Sequence, residues 1–172
     1  MLAFAKALDR ELMRLLNAII IIANLAITLL ILFLVLARFV LGWSVVGVLE
    51  LATMSAIWLY MCGAVVAARN KEHLVVDFLS LSLTSPRARH WHNLAVSLVM
   101  VVLSLFFVSL AADMVAWSMK RPQTTPALSL PLLIPQSAVV LASILCAVYA
   151  LRDLATAFLA VSRGDSPVAK KD

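Results

Sequence analysis

The 172-residue chain is short of charge, cysteine and glycine. Asp, Glu, Lys and Arg make up 13% of it, about half the share of an ordinary soluble domain, so a conventional water-facing surface is excluded. The two cysteines, Cys62 and Cys146, both sit in apolar runs. They form neither a secreted disulfide framework nor a metal site and read as small packing residues. The three histidines, His73, His90 and His92, lie outside the long apolar runs. The chain has no metal-ligand spacing, nucleophile–base pair or phosphate loop, so we assign no catalytic residue, metal or cofactor and do not expect an enzyme. No cluster combines basic and aromatic residues as a nucleic-acid surface would.

What the chain has in quantity is apolar length. Residues 15–37, 51–68, 94–112 and 132–151 contain no Asp, Glu, Lys or Arg, in runs of 18 to 23 residues. A helix of about 20 residues, rising ~1.5 Å each, crosses a hydrocarbon core of ~30 Å. Hydrophobic residues reach 64% of the chain, and the mean hydropathy is +1.04. The fold class that follows is all-α: an integral membrane bundle of four transmembrane helices, with short interfacial amphipathic helices. One membrane domain should cover 1–172, with spans at about 15–40, 44–68, 92–117 and 132–152 and a polar tail at 163–172. The first span follows Lys6, Arg10 and Arg14 as a signal peptide would. Its apolar run is too long for one, and no clear small-residue cleavage site follows, so a retained helix is expected.

Basic residues set the expected orientation. Three precede the first span, four lie in the second loop (Arg69, Lys71, Arg87, Arg89) and four follow the last span. Placing both termini and that loop in the cytoplasm puts 11 of 14 Lys and Arg residues inside, as the positive-inside rule favours. The net charge of +5 then reads as topology and attraction to anionic lipid. Trp43 and Trp117 fall at expected outer ends and Trp91 at an inner end, whereas Trp58 lies mid-span.

Two segments are expected to lie along the membrane. In residues 1–14, Lys6, Arg10 and Arg14 recur every four residues opposite Leu2, Ala5, Leu8 and Leu12, a pattern suited to lipid headgroups. A frayed tail carrying topology charges is the alternative. Residues 74–84 are apolar but short and include Asp77, Ser80 and Ser82, which suits an interfacial helix rather than a span. Pro122, Pro126 and Pro131 mark an ordered, non-helical loop before the last span.

The polar residues inside the spans need partners. Glu50 lies about two turns into the second span, on the same side as Arg38, Lys120 and Arg121. An acidic side chain at membrane depth costs up to ~2.5–3.5 kcal/mol at a helix centre. Glu50 is therefore either a proton or cation site or a structural carboxylate paired with a neighbouring helix or subunit. Asn17, Asn24 and Thr28 share one face of the first span; such groups tend to hydrogen-bond across helices, so this face is expected against protein.

Reading onward from Glu50-Leu51 gives Trp58, then Gly63-Ala64, then Arg69, then His73-Leu-Val-Val-Asp77. This order and spacing resemble the small membrane subunit of tripartite ATP-independent periplasmic (TRAP) transporters, the DctQ-like family, over roughly residues 15–155. Leu74 stands where that family usually has Ile, and Val75 where a basic residue is common. Thr125-Pro-Ala-Leu-Ser-Leu-Pro131 is similar to the family's loop as well. The resemblance implies a secondary transport system for organic acids, driven by an ion gradient, typically sodium. It implies three partners: a large multi-span membrane subunit that moves as an elevator, a periplasmic substrate-binding protein, and membrane lipid. The small subunit would pack against the static part of the large one. Glu50, Trp58, Gly63, Arg69, His73 and Asp77 become subunit-interface or structural residues. Arg69, His73 and Asp77 would brace the inner end of span two or bind headgroups; simple capping and charge pairing around the loop is the local alternative. The short tail after Arg163 leads us to expect the large subunit on a separate chain.

Two other readings compete. A membrane anchor of a redox enzyme needs haem ligands on its helices, and only His92 lies close enough to a span to offer one. A self-sufficient exporter needs a carboxylate near the midplane, and Glu50 is off-centre.

Overall fold

A lipid core offers the backbone no hydrogen-bond partner, so each apolar run must close its amide bonds on itself as helix. The computed structural model describes residues 2–70 and 86–163, and there the runs form four helices. They are α1 (Leu2–Phe39), α2 (Val46–Asn70), α3 (Pro86–Lys120) and α4 (Leu133–Arg163). All four are long and apolar enough to cross a membrane, so the protein is a multi-pass membrane protein. α1 runs unbroken for 38 residues, which makes residues 2–14 continuous with the first span rather than a separate element. Pro86 opens α3 at the position where a missing N–H is harmless. The segment 74–84 and the tail 164–172 lie outside the described residues.

The ends are closed by specific backbone devices. After α1, Gly42 adopts φ +68°, a conformation open to glycine. This lets the Trp43 N–H reach the Ala37 carbonyl at 2.9 Å. In the first turn of α4, the Ile134 and Gln136 N–H groups bond the Pro131 and Leu132 carbonyls that precede the helix.

The helices form a row. α1 packs on α2, α2 on α4, and α4 on α3, so α1 and α3 are the two flanks of the layer. The start of α1, the end of α2, the start of α3 and the end of α4 share one end, called here the terminal end. The links 40–45 and 121–132 belong to the other, the loop end. Between the helices the side chains are small: Ala23, Ala37, Ala52, Ala68, Ala111, Ala138, Ala142 and Ala147 are all buried. Apolar surface gains nothing by leaving lipid, so close backbone approach and dispersion hold such contacts. Met13 and Leu16 of α1, Cys62, Val65 and Ala68 of α2, and Ala142 and Tyr149 of α4 make one cluster, with Trp58 half-buried against it. The two cysteines are free thiols packed in or beside that cluster. Most large apolar side chains, such as Phe106, Phe107 and Ile22, face outward.

Ala142 is 3% exposed, so a larger side chain there must push the helices apart. Ala142→Leu should cost about 1–3 kcal/mol, read as a lower unfolding midpoint in detergent. The same substitution at the exposed Ala155 should leave the midpoint unchanged.

Candidate functional site

Polar groups are few enough that those in contact define the molecule's chemistry, and they gather at the two ends of the row. At the terminal end, Asp9 lies on the packing face of α1. Asp9, Met13, Leu16, Ile20 and Ala23 follow one another at spacings of four and three, and the last four are buried or half-buried. The stripe that packs against α2 therefore ends on a carboxylate. Arg69, one residue before the end of α2, donates from Nε at 2.9 Å and from Nη2 at 2.6 Å to Asp9 Oδ2. The Tyr149 hydroxyl of α4 donates to Oδ1 at 2.7 Å. One carboxylate thus joins three helices.

Arg152 extends the clasp. Its Nη2 donates to the Arg69 carbonyl at 3.1 Å, satisfying one of the acceptors that a helix C-terminus leaves open. Its Nε donates to Asp153 at 2.9 Å, and its guanidinium lies 5.0 Å from the centroid of the Tyr149 ring. Asp9, Tyr149 and Arg152 were not singled out by sequence reasoning. The available signal was the lone carboxylate continuing the apolar stripe of the first helix.

At the loop end the main group is Glu50, on the second turn of α2. Its two carboxylate oxygens accept from the Ala127 N–H at 2.8 Å and the Leu128 N–H at 3.0 Å, and the Thr125 hydroxyl faces the same carboxylate. The partners are loop backbone rather than Arg38, Lys120 or Arg121. Arg121 instead lies 4.9 Å over the Trp117 ring. The loop is built to present those amides. Thr125 and Leu130 are bonded backbone to backbone and through the Thr125 hydroxyl, Ser129 adopts φ 53°, and Leu132 bonds Gln123. Three residues before Glu50, on the same face of α2, Gly47 leaves room for the loop. A Cβ at Gly47 would come 2.8 Å from Leu128 Cγ.

The remaining expected residues are scattered. Gly63 is half-exposed and a Cβ there would meet nothing within 4 Å, so no contact inside the chain requires glycine. Asn17, Asn24 and Thr28 are all exposed. Arg10 and Arg14 are exposed and flank Glu11, which accepts from Arg14 at 2.7 Å. Leu8, expected on the apolar face opposite them, is exposed, whereas Leu12 packs on the core. Lys6 lies within α1. His73 and Asp77 lie outside the described residues.

The arrangement fastens helices at both ends and leaves the apolar middle free of charge. The family model of the tripartite ATP-independent periplasmic transporters, DctQ component, matches residues 27–160. The chain belongs to this family and is a small subunit of a TRAP transporter. The matched stretch contains Glu50, the 121–132 loop, Arg69, Tyr149 and Arg152, while Asp9, Asn17 and Asn24 precede it. Searches among curated proteins and among solved structures give no match.

Two expectations follow from the clasps. Tyr149→Phe removes one hydrogen bond and should cost about 0.5–1.5 kcal/mol. Asp9→Ala should cost more, and the double variant should fall short of the sum because the two share a partner; thermal unfolding of the four proteins measures this. Glu50→Ala should speed hydrogen exchange of the Ala127 and Leu128 amides several-fold, with the interiors of α3 and α4 unaffected, as followed by mass spectrometry.

Proposed function

We propose that this subunit is the fixed scaffold of an organic-acid uptake system driven by an ion gradient, with sodium the coupling ion. It packs against the static part of a large elevator-type membrane subunit and gives the moving part a rigid wall to slide beside. A periplasmic binding protein delivers the substrate, and substrate and ion enter the cell together as symport. The complex sits in the bacterial inner membrane with both termini of this chain in the cytoplasm. In that orientation the Asp9–Arg69–Tyr149 clasp is cytoplasmic and the Glu50 loop periplasmic.

The observation that carries this reading is the fastening of helices at both ends around spans whose middles carry no charge. A subunit that itself carried an ion or a carboxylate would need polar groups at mid-depth facing a path. Here the strong polar contacts are spent on joining helix to helix and helix to loop. Lys6, Arg10 and Arg14 are assigned to lipid headgroups. Arg69, with His73 and Asp77 beyond it, braces the cytoplasmic end of α2. Trp58 and Gly63 remain structural or interface residues. Membership of a transporter family weighs against the redox-anchor reading.

The test begins with purification of the tagged chain from its native membrane in mild detergent. A polytopic membrane partner should co-purify in stoichiometric amount, without haem absorbance. In reconstituted vesicles, uptake of an organic acid should require this chain, its large partner, the binding protein and an inward sodium gradient together. Recovery of the chain alone, or with a soluble redox partner and a Soret band, would overturn the proposal.

A further inference from the structure

The first helix carries two side-chain amides that nothing among the described residues binds. α1 is a flank of the row and packs on α2 through a stripe that includes Met13, Leu16, Ala23 and Ala37. At about 100° per residue, Asn17 and Asn24 lie about a quarter-turn round the helix from that stripe, and both are exposed. Thr28 shares their face but is already satisfied, since its hydroxyl donates to the Asn24 carbonyl at 2.9 Å. The side-chain amides of Asn17 and Asn24 have no such bond among the described residues.

Depth makes Asn24 the sharper case. It lies ten residues after Arg14 and fourteen before Arg38, about 15 Å and 21 Å along the axis at ~1.5 Å per residue. It therefore sits near the middle of the hydrocarbon, too far from either headgroup zone for a short side chain to reach water. Acyl chains can neither donate to nor accept from an amide, and a buried amide without a partner is strongly disfavoured. The occupant of this face must be protein, must itself span the membrane, and must offer hydrogen-bonding groups at two depths separated by two helical turns.

We propose that the Asn17–Asn24 face of α1 is where a transmembrane helix of the large transporter subunit docks, with its polar side chains or backbone carbonyls bonded to the two amides. This rests on the reading of the chain as a subunit of a larger transporter. A second copy of this chain is the less fitting occupant: a family that works as one component of a tripartite system must offer a face to its other components. Asn17 and Asn24 supply the unpaired polar groups described on the side of the flank helix.

Site-specific photocrosslinking in the intact complex tests this. A photoreactive side chain is introduced at Asn24 in one variant and at Ile22 in another. Ile22 is at almost the same depth, 67% exposed, and lies on the opposite flank of α1. The expected result is a covalent adduct with the large subunit from position 24 and none from position 22. An adduct with a second copy of this chain, lipid adducts alone, or capture from position 22 instead of 24 would overturn the docking face. Asn24→Leu, which makes the helix more apolar and leaves its folding intact, should reduce the co-purifying large subunit several-fold. An unchanged yield would count against the proposal. The unsubstituted chain is purified in parallel. If no large partner accompanies it, the transporter-subunit reading fails with the docking face; if the partner is present and position 24 stays silent, only the docking face fails.

Discussion

The Asp9 carboxylate accepts three hydrogen bonds from two other helices, and the terminal end of the molecule depends on it. In water such a link would be worth little, because solvent offers each group an equivalent partner. Near lipid the alternatives are poorer, and a carboxylate on the packing face of a helix must find its donors within the protein. Arg69 stands in the last turn of α2, whose carbonyls are open at that end, and Arg152, well before the end of α4, donates to one of them. One cation therefore binds the carboxylate while the other closes a carbonyl at the end of α2. Asp9 and Arg69 are each still about a third exposed, so the clasp fixes geometry more than it adds stability.

The loop end is held on a different principle. There the carboxylate of Glu50 binds backbone rather than a cation, so what it fixes is the course of the 121–132 connection. Gly47 lets that connection come down onto α2, and the loop's own bonds present two successive amides to one carboxylate. A lysine or arginine in the same place would bind the acid as well, but it would leave those amides unbonded. The link that crosses from α3 to α4 is thereby tied to α2, which lies in the middle of the row beside α4. Each end of α2 is thus joined to something other than its sequence neighbour.

Much of this was legible in the residues, for physical reasons that differ from element to element. The number of spanning helices was readable because a charge-free run has few fates in a protein other than a membrane helix. Glu50 stood out because an acid at that depth needs a partner, but its partner was misjudged. Charge patterning points to cations, whereas backbone amides carry no sequence label. Asp9 was hidden for the opposite reason. Placed among Lys6, Arg10, Glu11 and Arg14, it looked like one more surface charge, and only its register with Met13 and Leu16 marked it as facing inward. The continuity of residues 2–14 with the first span was likewise invisible to composition. Helix continuity depends on local backbone bonding, which the change from basic to apolar residues does not interrupt.

A row of four helices poses a problem that a closed bundle avoids. It has two broad faces and two flanks, and in a membrane apolar side chains there cost nothing, so exposure alone does not distinguish a face meant for lipid from one meant for protein. Phe106 and Phe107 on α3 are as exposed as many residues of α1 and carry no information about partners. Polar groups remove the ambiguity, because lipid cannot satisfy them. Serines and threonines mid-helix can return their hydrogen bond to their own backbone, as Thr53, Ser104, Ser109 and Thr28 do, and they too are uninformative. An amide has more donors and acceptors than its own helix can take up. The two asparagines of α1 are thus informative about direction in a way that the surrounding leucines and isoleucines are not. A membrane subunit that assembles with other components needs few such marks: enough to set which side faces a partner, and few enough to leave the layer soluble in lipid until the partner arrives.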